Sequence, residues 1–209
     1  MKKIDYIILP SSYLPSSDYF TLILKYDNIL IEVNDFYLKQ SIRNHTIILG
    51  PNGDQKLTVP IQRKDKSKTI FKNLKISNEK WKKKQIQSIK TAYGNSPFFI
   101  YYIDDIIELI NQESKTLLEL NQKFFNYFIK EFKIKKNIKL TNEYIKNYGE
   151  KYIDFRSKKI DLDTKNSIHY LQTFLNSNNN LKKYSVIDLL FNQGKNSKDV
   201  LLANIKKNK

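Results

Sequence analysis

The chain has 209 residues, 40% of them hydrophobic, which is enough for one full-sized core or two small lobes. It has no cysteine, which excludes disulfides, thiolate nucleophiles and zinc sites with sulfur ligands. The formal charge of +16 is almost all lysine, spread among abundant Asn, Ile and Tyr as an A+T-rich coding sequence would produce, so it argues only weakly for a nucleic-acid partner.

The start, Met1 to Pro10, is basic like a signal peptide, but Asp5 interrupts it and Pro10 ends the apolar run too soon. No stretch approaches the roughly 20 apolar residues of a spanning helix, so the expectation is a soluble, cytoplasmic protein with no membrane span. Tyr6 to Leu9 reads as a buried strand closed by Pro10, and 11–17 as the loop after it. Ser16 or Ser17 can cap a short helix to about Lys25, and Ile29 to Val33 reads as a second strand. Thr46 to Leu49 and Lys56 to Ile61 flank Pro51-Asn52-Gly53-Asp54, a hairpin signal. The four runs are expected in one small mixed sheet.

From Ser77 the period becomes helical. A capped helix opens there, carries Trp81, Ile86, Ile89 and Tyr93 on one face and ends at Gly94; a second runs from Pro97 to Ile110. Leu117 to Phe132 is strongly amphipathic, with a short extended run near Ile138 to Leu140. Residues 176–183 read as an Asn-rich solvated loop, Ser185 caps Val186 to Phe191, and Lys198 to Ile205 forms a last helix. The expected fold class is α/β, with α+β as the alternative. It forms one domain over 1–205, strand-rich over 1–76 and mainly helical over 77–205, with a frayed tail at 206–209.

The residues that could carry chemistry concentrate before residue 61. Only three arginines stand beside the lysines, and Arg43 precedes Asn44 and His45 between apolar runs. Its rigid fork of donors suits carboxylate or phosphate. Tyr13 and Tyr19 either wall a pocket above the first strand or are core residues with satisfied hydroxyls. Glu32 ends an apolar run and is either a general base or a structural partner of Lys39 or Arg43. His45 is either a proton-transfer group or a surface or cap histidine. His45 and His169 have no metal-ligand spacing, so no metal is expected. The acid pairs Asp104-Asp105 and Asp161-Leu162-Asp163 read as solvated or capping. No phosphate-loop, dinucleotide or GxSxG motif is present, and no cofactor is expected. Trp81-Lys82-Lys83-Lys84 either touches a phosphate backbone or is a helix with one buried indole and a wet lysine face.

Taken in order, these residues resemble the WbqC-like family of bacterial polysaccharide and O-antigen gene clusters. The resemblance rests on Ser12-Tyr13-Leu14-Pro15, Tyr19-Phe20, Lys39-Gln40 with Arg43-Asn44, Asn52-Gly53 with Leu57 to Pro60, Trp81, and Ala92-Tyr93 with Pro97-Phe98-Phe99. It continues through Asp154-x-Arg156, Tyr170-x-Gln172-x-Phe174 and Ser185-x-Ile187-Asp188 to Gly194, where the run looks most like Bacteroidetes-type members. Two positions depart from the pattern: His45 stands where another arginine is usual, and Ser16 where a bulky residue is common.

The resemblance implies sugar or cell-envelope chemistry. The expectation is a transferase of cell-envelope polysaccharide biosynthesis, with acyl or aminoacyl transfer to an amino sugar as the reaction and an activated or nucleotide sugar as the small-molecule substrate. Arg43 and Lys39 would hold an anionic group, Asn44 and Asn52 would position hydroxyls or amides, Tyr13 and Tyr19 would wall the pocket, and Glu32 and His45 would be the acid–base candidates. The alternative is a non-catalytic binding protein for an anionic ligand or nucleic acid. No specific nucleic-acid partner is expected under the leading reading, and the sequence leaves the oligomeric state open.

Overall fold

The computed structural model describes residues 4–39, 41–62, 69–156, 170–174 and 184–207. Gln40, Arg63, His169, the pair Asp161 and Asp163, the expected loop at 176–183 and the last residues of the expected tail lie outside them.

Strand β1 (Tyr6–Pro10) is followed by helix α1 (Ser17–Lys25) and strand β2 (Asn28–Glu32). Ser16 caps α1, its hydroxyl accepting from the Tyr19 N–H at 3.4 Å. Later come β5 (Asn137–Leu140) and β6 (Tyr152–Asp154). These four strands form one all-parallel sheet in the order β5-β2-β1-β6. Ile7, Ile8 and Leu9 have no exposed surface, because an all-parallel sheet is covered on both faces and its inner strands read as unbroken apolar runs.

The chain is thus α/β, as its sequence indicates, but the four early strands do not share a sheet. Among the described residues β3 (His45–Gly50) and β4 (Gly53–Thr58) pair only with each other as an antiparallel hairpin. The parallel sheet is completed instead by two strands from the helical part. Gly53, at φ 95°, supplies the left-handed residue that this tight turn requires.

The helices follow their sequence signals closely. They are α2 (Lys80–Tyr93), α3 (Phe99–Asn111), α4 (Leu117–Glu131), α5 (Val186–Gln193) and α6 (Ser197–Lys207). Thr116 and Glu119 cap α4 reciprocally, and the Ser185 hydroxyl caps α5. At α2 the N-cap residue is Glu79, whose side chain makes no capping bond; Asn78 Oδ1 accepts from the Lys80 N–H at 3.0 Å.

The loop after β1 is held from several directions. The Ser12 hydroxyl and the Tyr13 N–H both donate to the Ile42 carbonyl, at 3.2 and 2.9 Å. Leu14 takes the left-handed conformation at φ 42°, uncommon outside glycine, and its carbonyl accepts from Thr46 and Ser185 at 2.8 and 3.0 Å. Those bonds fix Ser11 and Ser12 above the end of β1.

Candidate functional site

All four parallel strands end on one side, so their carboxyl ends present Ser11, Glu32, Thr141 and Asp154 together. From β1 the chain builds outward through β2 to β5, and then places β6 on the opposite side of β1. Open α/β sheets bind ligands outside such a reversal.

One wall of this region is an ionic knot. Arg156, just beyond β6, reaches across the end of β1 and donates to Glu32 Oε2 at 3.0 Å. The same guanidinium donates to Asp154 through Nε (3.1 and 3.0 Å) and Nη2 (2.7 Å), and to the Lys146 carbonyl at 3.1 Å. The rings of Tyr144 and Tyr148 stack on it, 4.9 and 5.1 Å away. Glu32 Oε1 accepts from the Asn34 N–H and the Thr141 hydroxyl, both at 2.8 Å. Both carboxylate oxygens of Glu32 are therefore occupied by the fold.

Beside the knot lies a second buried pair, in which Arg43 Nη2 donates to Asp35 Oδ2. Arg43 is 1% exposed and also faces the Phe71 ring at 6.0 Å. Burial pushes the Asp35 pKa up, Arg43 opposes this, and the charge of Glu32 adds to the rise.

A pocket of about 290 Å³ opens at the carboxyl ends of β1, β2 and β5, against one face of α4. Ile31, Ile138, Phe125 and Ile129 give it apolar walls, Ser11, Tyr19 and Asn121 give it polar groups, and Lys139 brings a cation, while Lys136, also on the lining, is paired with Asp27 at 2.7 Å. The Asn121 amide nitrogen donates to the Arg43 carbonyl at 2.9 Å and to the Ser11 hydroxyl at 3.2 Å. Because the Arg43 carbonyl can only accept, the amide orientation is fixed, and Asn121 Oδ1 is left as a buried acceptor without a partner among the described residues.

The candidate residues named from sequence do not gather in one place. Tyr19 lines the pocket; its hydroxyl donates to the Pro10 carbonyl at 3.0 Å, and burial raises its pKa against the nearby charge of Arg43. Arg43, Asn44 and Glu32 lie around the pocket rather than in it, and Asn44 spans Tyr37 (2.9 Å) and the Val59 carbonyl (3.0 Å). Tyr13 is a core residue between Trp81 and Phe124, its hydroxyl donating to Gln85 at 2.7 Å. His45 is half-buried opposite Thr58, and burial, then Lys56, lower its pKa, so it is neutral at pH 7. Lys39 is exposed, and Asn52 sits at the hairpin tip, in a different cleft from Tyr19.

The WbqC-like protein family matches residues 11–154. This is well over half of the chain. It covers β1's exit loop, the hairpin, helices α2 to α4 and every later strand of the parallel sheet. The chain belongs to the WbqC-like protein family. It is also 29% identical over 127 residues to an uncharacterised protein of Mycobacterium tuberculosis, Rv1507c, a match covering 60% of this chain and 54% of that relative. No solved structure matches. WbqC-like membership suggests a protein associated with polysaccharide gene clusters.

Arg156, Tyr170, Gln172 and Asp188 lie beyond the segment that the family matches, yet they build two of the most connected buried polar groups in the fold. Among the described residues no helix is long and apolar enough to cross a membrane. Among the same residues no group of three or more His, Asp or Glu is placed to hold a metal ion.

Proposed function

We propose that the protein is a transferase of cell-envelope polysaccharide biosynthesis that seats an activated sugar in the pocket at the carboxyl edge of the sheet. The reaction is acyl or aminoacyl transfer to an amino sugar. The observation that carries this reading is the unpartnered Oδ1 of Asn121, a buried acceptor on a pocket-lining side chain that a sugar hydroxyl or amine would satisfy. Leaving such an acceptor unmet costs about 1–3 kcal/mol, so a donor from a ligand is rewarded. The surrounding mixture of apolar wall and few convergent polar groups is what small-molecule sites use.

In this reading Tyr19 walls the pocket, Ser11 and Asn121 orient the sugar, and Lys139 meets the anionic part of the activated group. Arg43 acts through its carbonyl, which holds Asn121. Neither Glu32 nor His45 lines the pocket, so catalysis rests on positioning and on the electrostatics of Lys139.

The test is a thermal-shift panel of nucleotide sugars and acyl donors, followed by calorimetry on Asn121→Ala and on the rim variant Lys139→Gln, with mass spectrometry of the products. At least one ligand should raise the melting temperature, since a ligand that binds only the native state stabilises it by mass action. Its affinity should fall about tenfold in each variant. A flat panel, or unchanged affinity in both variants, would overturn the reading.

A further inference from the structure

A second cleft shares no residue with the edge pocket. It is a space of about 770 Å³ between the hairpin turn and one face of α2. Lys80, Lys83, Lys84, Gln87 and Thr91 line it, at the three- and four-residue spacing that puts them on a single helical face. The face runs about 16 Å along the helix. Its charge is uneven: three ammonium groups stand at the N-terminal end, while Gln87, Ser88 and Thr91 make the far end neutral and rich in hydroxyls and amides.

Two observations separate this face from an ordinary wet lysine surface. The one lysine of the Trp81 to Lys84 run that does not line the cleft, Lys82, is neutralised by Glu79 at 2.7 Å and also donates to the Asn111 carbonyl at 3.2 Å. Among the described residues no carboxylate pairs with Lys80, Lys83 or Lys84. The one acid on the lining, Asp54, accepts from the Tyr184 hydroxyl at 2.7 Å. The cleft is also preformed, because Gln55 of the hairpin donates to the Ser88 hydroxyl at 2.8 Å and ties the two walls together.

We infer that this cleft is a second binding site, for a phosphate-bearing saccharide, with the phosphate on Lys80, Lys83 and Lys84 and the sugar hydroxyls on Gln87, Ser88 and Thr91. A bare polyanion would leave the neutral half unused. Nucleic acid fits worse, because the neighbouring indole cannot stack a base: Trp81 is 7% exposed and turned inward, edge-on to Tyr13 at 6.3 Å. The inference stands apart from the edge-pocket reading, since the two sites share no residue.

Calorimetry on the full chain at about 0.15 M salt tests it. The probes are N-acetylglucosamine 1-phosphate, N-acetylglucosamine, inorganic phosphate, UDP-N-acetylglucosamine and a short DNA duplex. The proteins are wild type, Lys80→Gln/Lys83→Gln/Lys84→Gln, Asn121→Ala, and Lys90→Gln on the same helix outside the cleft. The sugar phosphates should bind wild type at least tenfold more tightly than either the free sugar or free phosphate. They should weaken tenfold or more in the triple variant and be unchanged in Lys90→Gln. Asn121→Ala should keep this binding, so loss of the edge-pocket function would not remove it. The inference falls if no sugar phosphate binds at millimolar concentration. It also falls if Lys90→Gln loses as much as the triple variant, if only Asn121→Ala loses binding, or if the duplex outcompetes the sugar phosphates.

Discussion

Glu32 and Asp188 are equally buried carboxylates, at 0% and 1% exposure, and the fold satisfies them by opposite means. Glu32 meets a guanidinium, that of Arg156. Among the described residues no cation pairs with Asp188: the hydroxyls of Tyr93 and Tyr170 donate at 2.9 and 2.7 Å, and the Gln172 amide at 2.5 Å. A buried ion pair is costly to break, because removing one partner strands a full charge. A carboxyl held by neutral donors instead keeps the option of carrying its own proton. Burial raises the Asp188 pKa, against the pull of its three donors. The carboxyl edge of the sheet is therefore held by an ion pair, while the neighbourhood of α5 answers to pH.

The most severe way to break the comparison is Arg156→Met, which leaves Glu32 and Asp154 facing each other's field without a cation. Stability should fall by about 3–5 kcal/mol, read as a drop of about 10 °C in the melting temperature. A drop under about 2 °C would show that the knot is not what holds β6 to β2. Arg43→Lys comes next. It keeps the charge beside Asp35 but loses the planar fork and the contact with Phe71, and should cost about 2 kcal/mol by urea denaturation. An unchanged midpoint combined with weakened ligand binding would return Arg43 to direct contact with a ligand.

The mildest change, Asp188→Asn, sharpens the contrast through pH. Because the native pKa is raised, the folded protein holds a proton that the unfolded chain releases. That stability is fully present below the ordinary carboxylate value near 4 and is lost as the pH rises through the native value. Asparagine cannot ionise. The variant should be about 1 kcal/mol less stable at pH about 4, and the two melting temperatures should converge as the pH rises. Parallel curves from pH 4 to 8 would mean that Asp188 titrates alike in both states.

Much of this was legible in the chain because local signals and tertiary roles agreed. Pro10, Ser16, Asn52-Gly53, Gly94 and Ser185 mark element ends that the structure keeps. What the sequence hid depends on long-range pairing. β6 is three residues long, too short for any periodicity, and it exists as a strand because β1 offers it an edge. Arg156 was visible as one of three arginines, yet its partner is 124 residues away. Asn121 had a signal that could have been used: it is the polar member of the stripe Leu117, Leu120, Phe124, Phe128 on α4, and a polar side chain on an apolar face must have a partner. Asp188, between Ile187 and Leu189 on the buried α5, had the same signal.

The place of β6 also shapes how the chain is made. β1 finds β2 within some twenty residues, but its other flank is filled only by Tyr152 to Asp154. During synthesis at about 5–20 residues per second, that flank stands open for roughly 7 to 30 s after β1 has been translated. An apolar strand with an unpaired edge is a template for pairing with another copy. The nascent polypeptide therefore passes through an interval in which one edge of its central strand is open to pairing with a neighbouring copy.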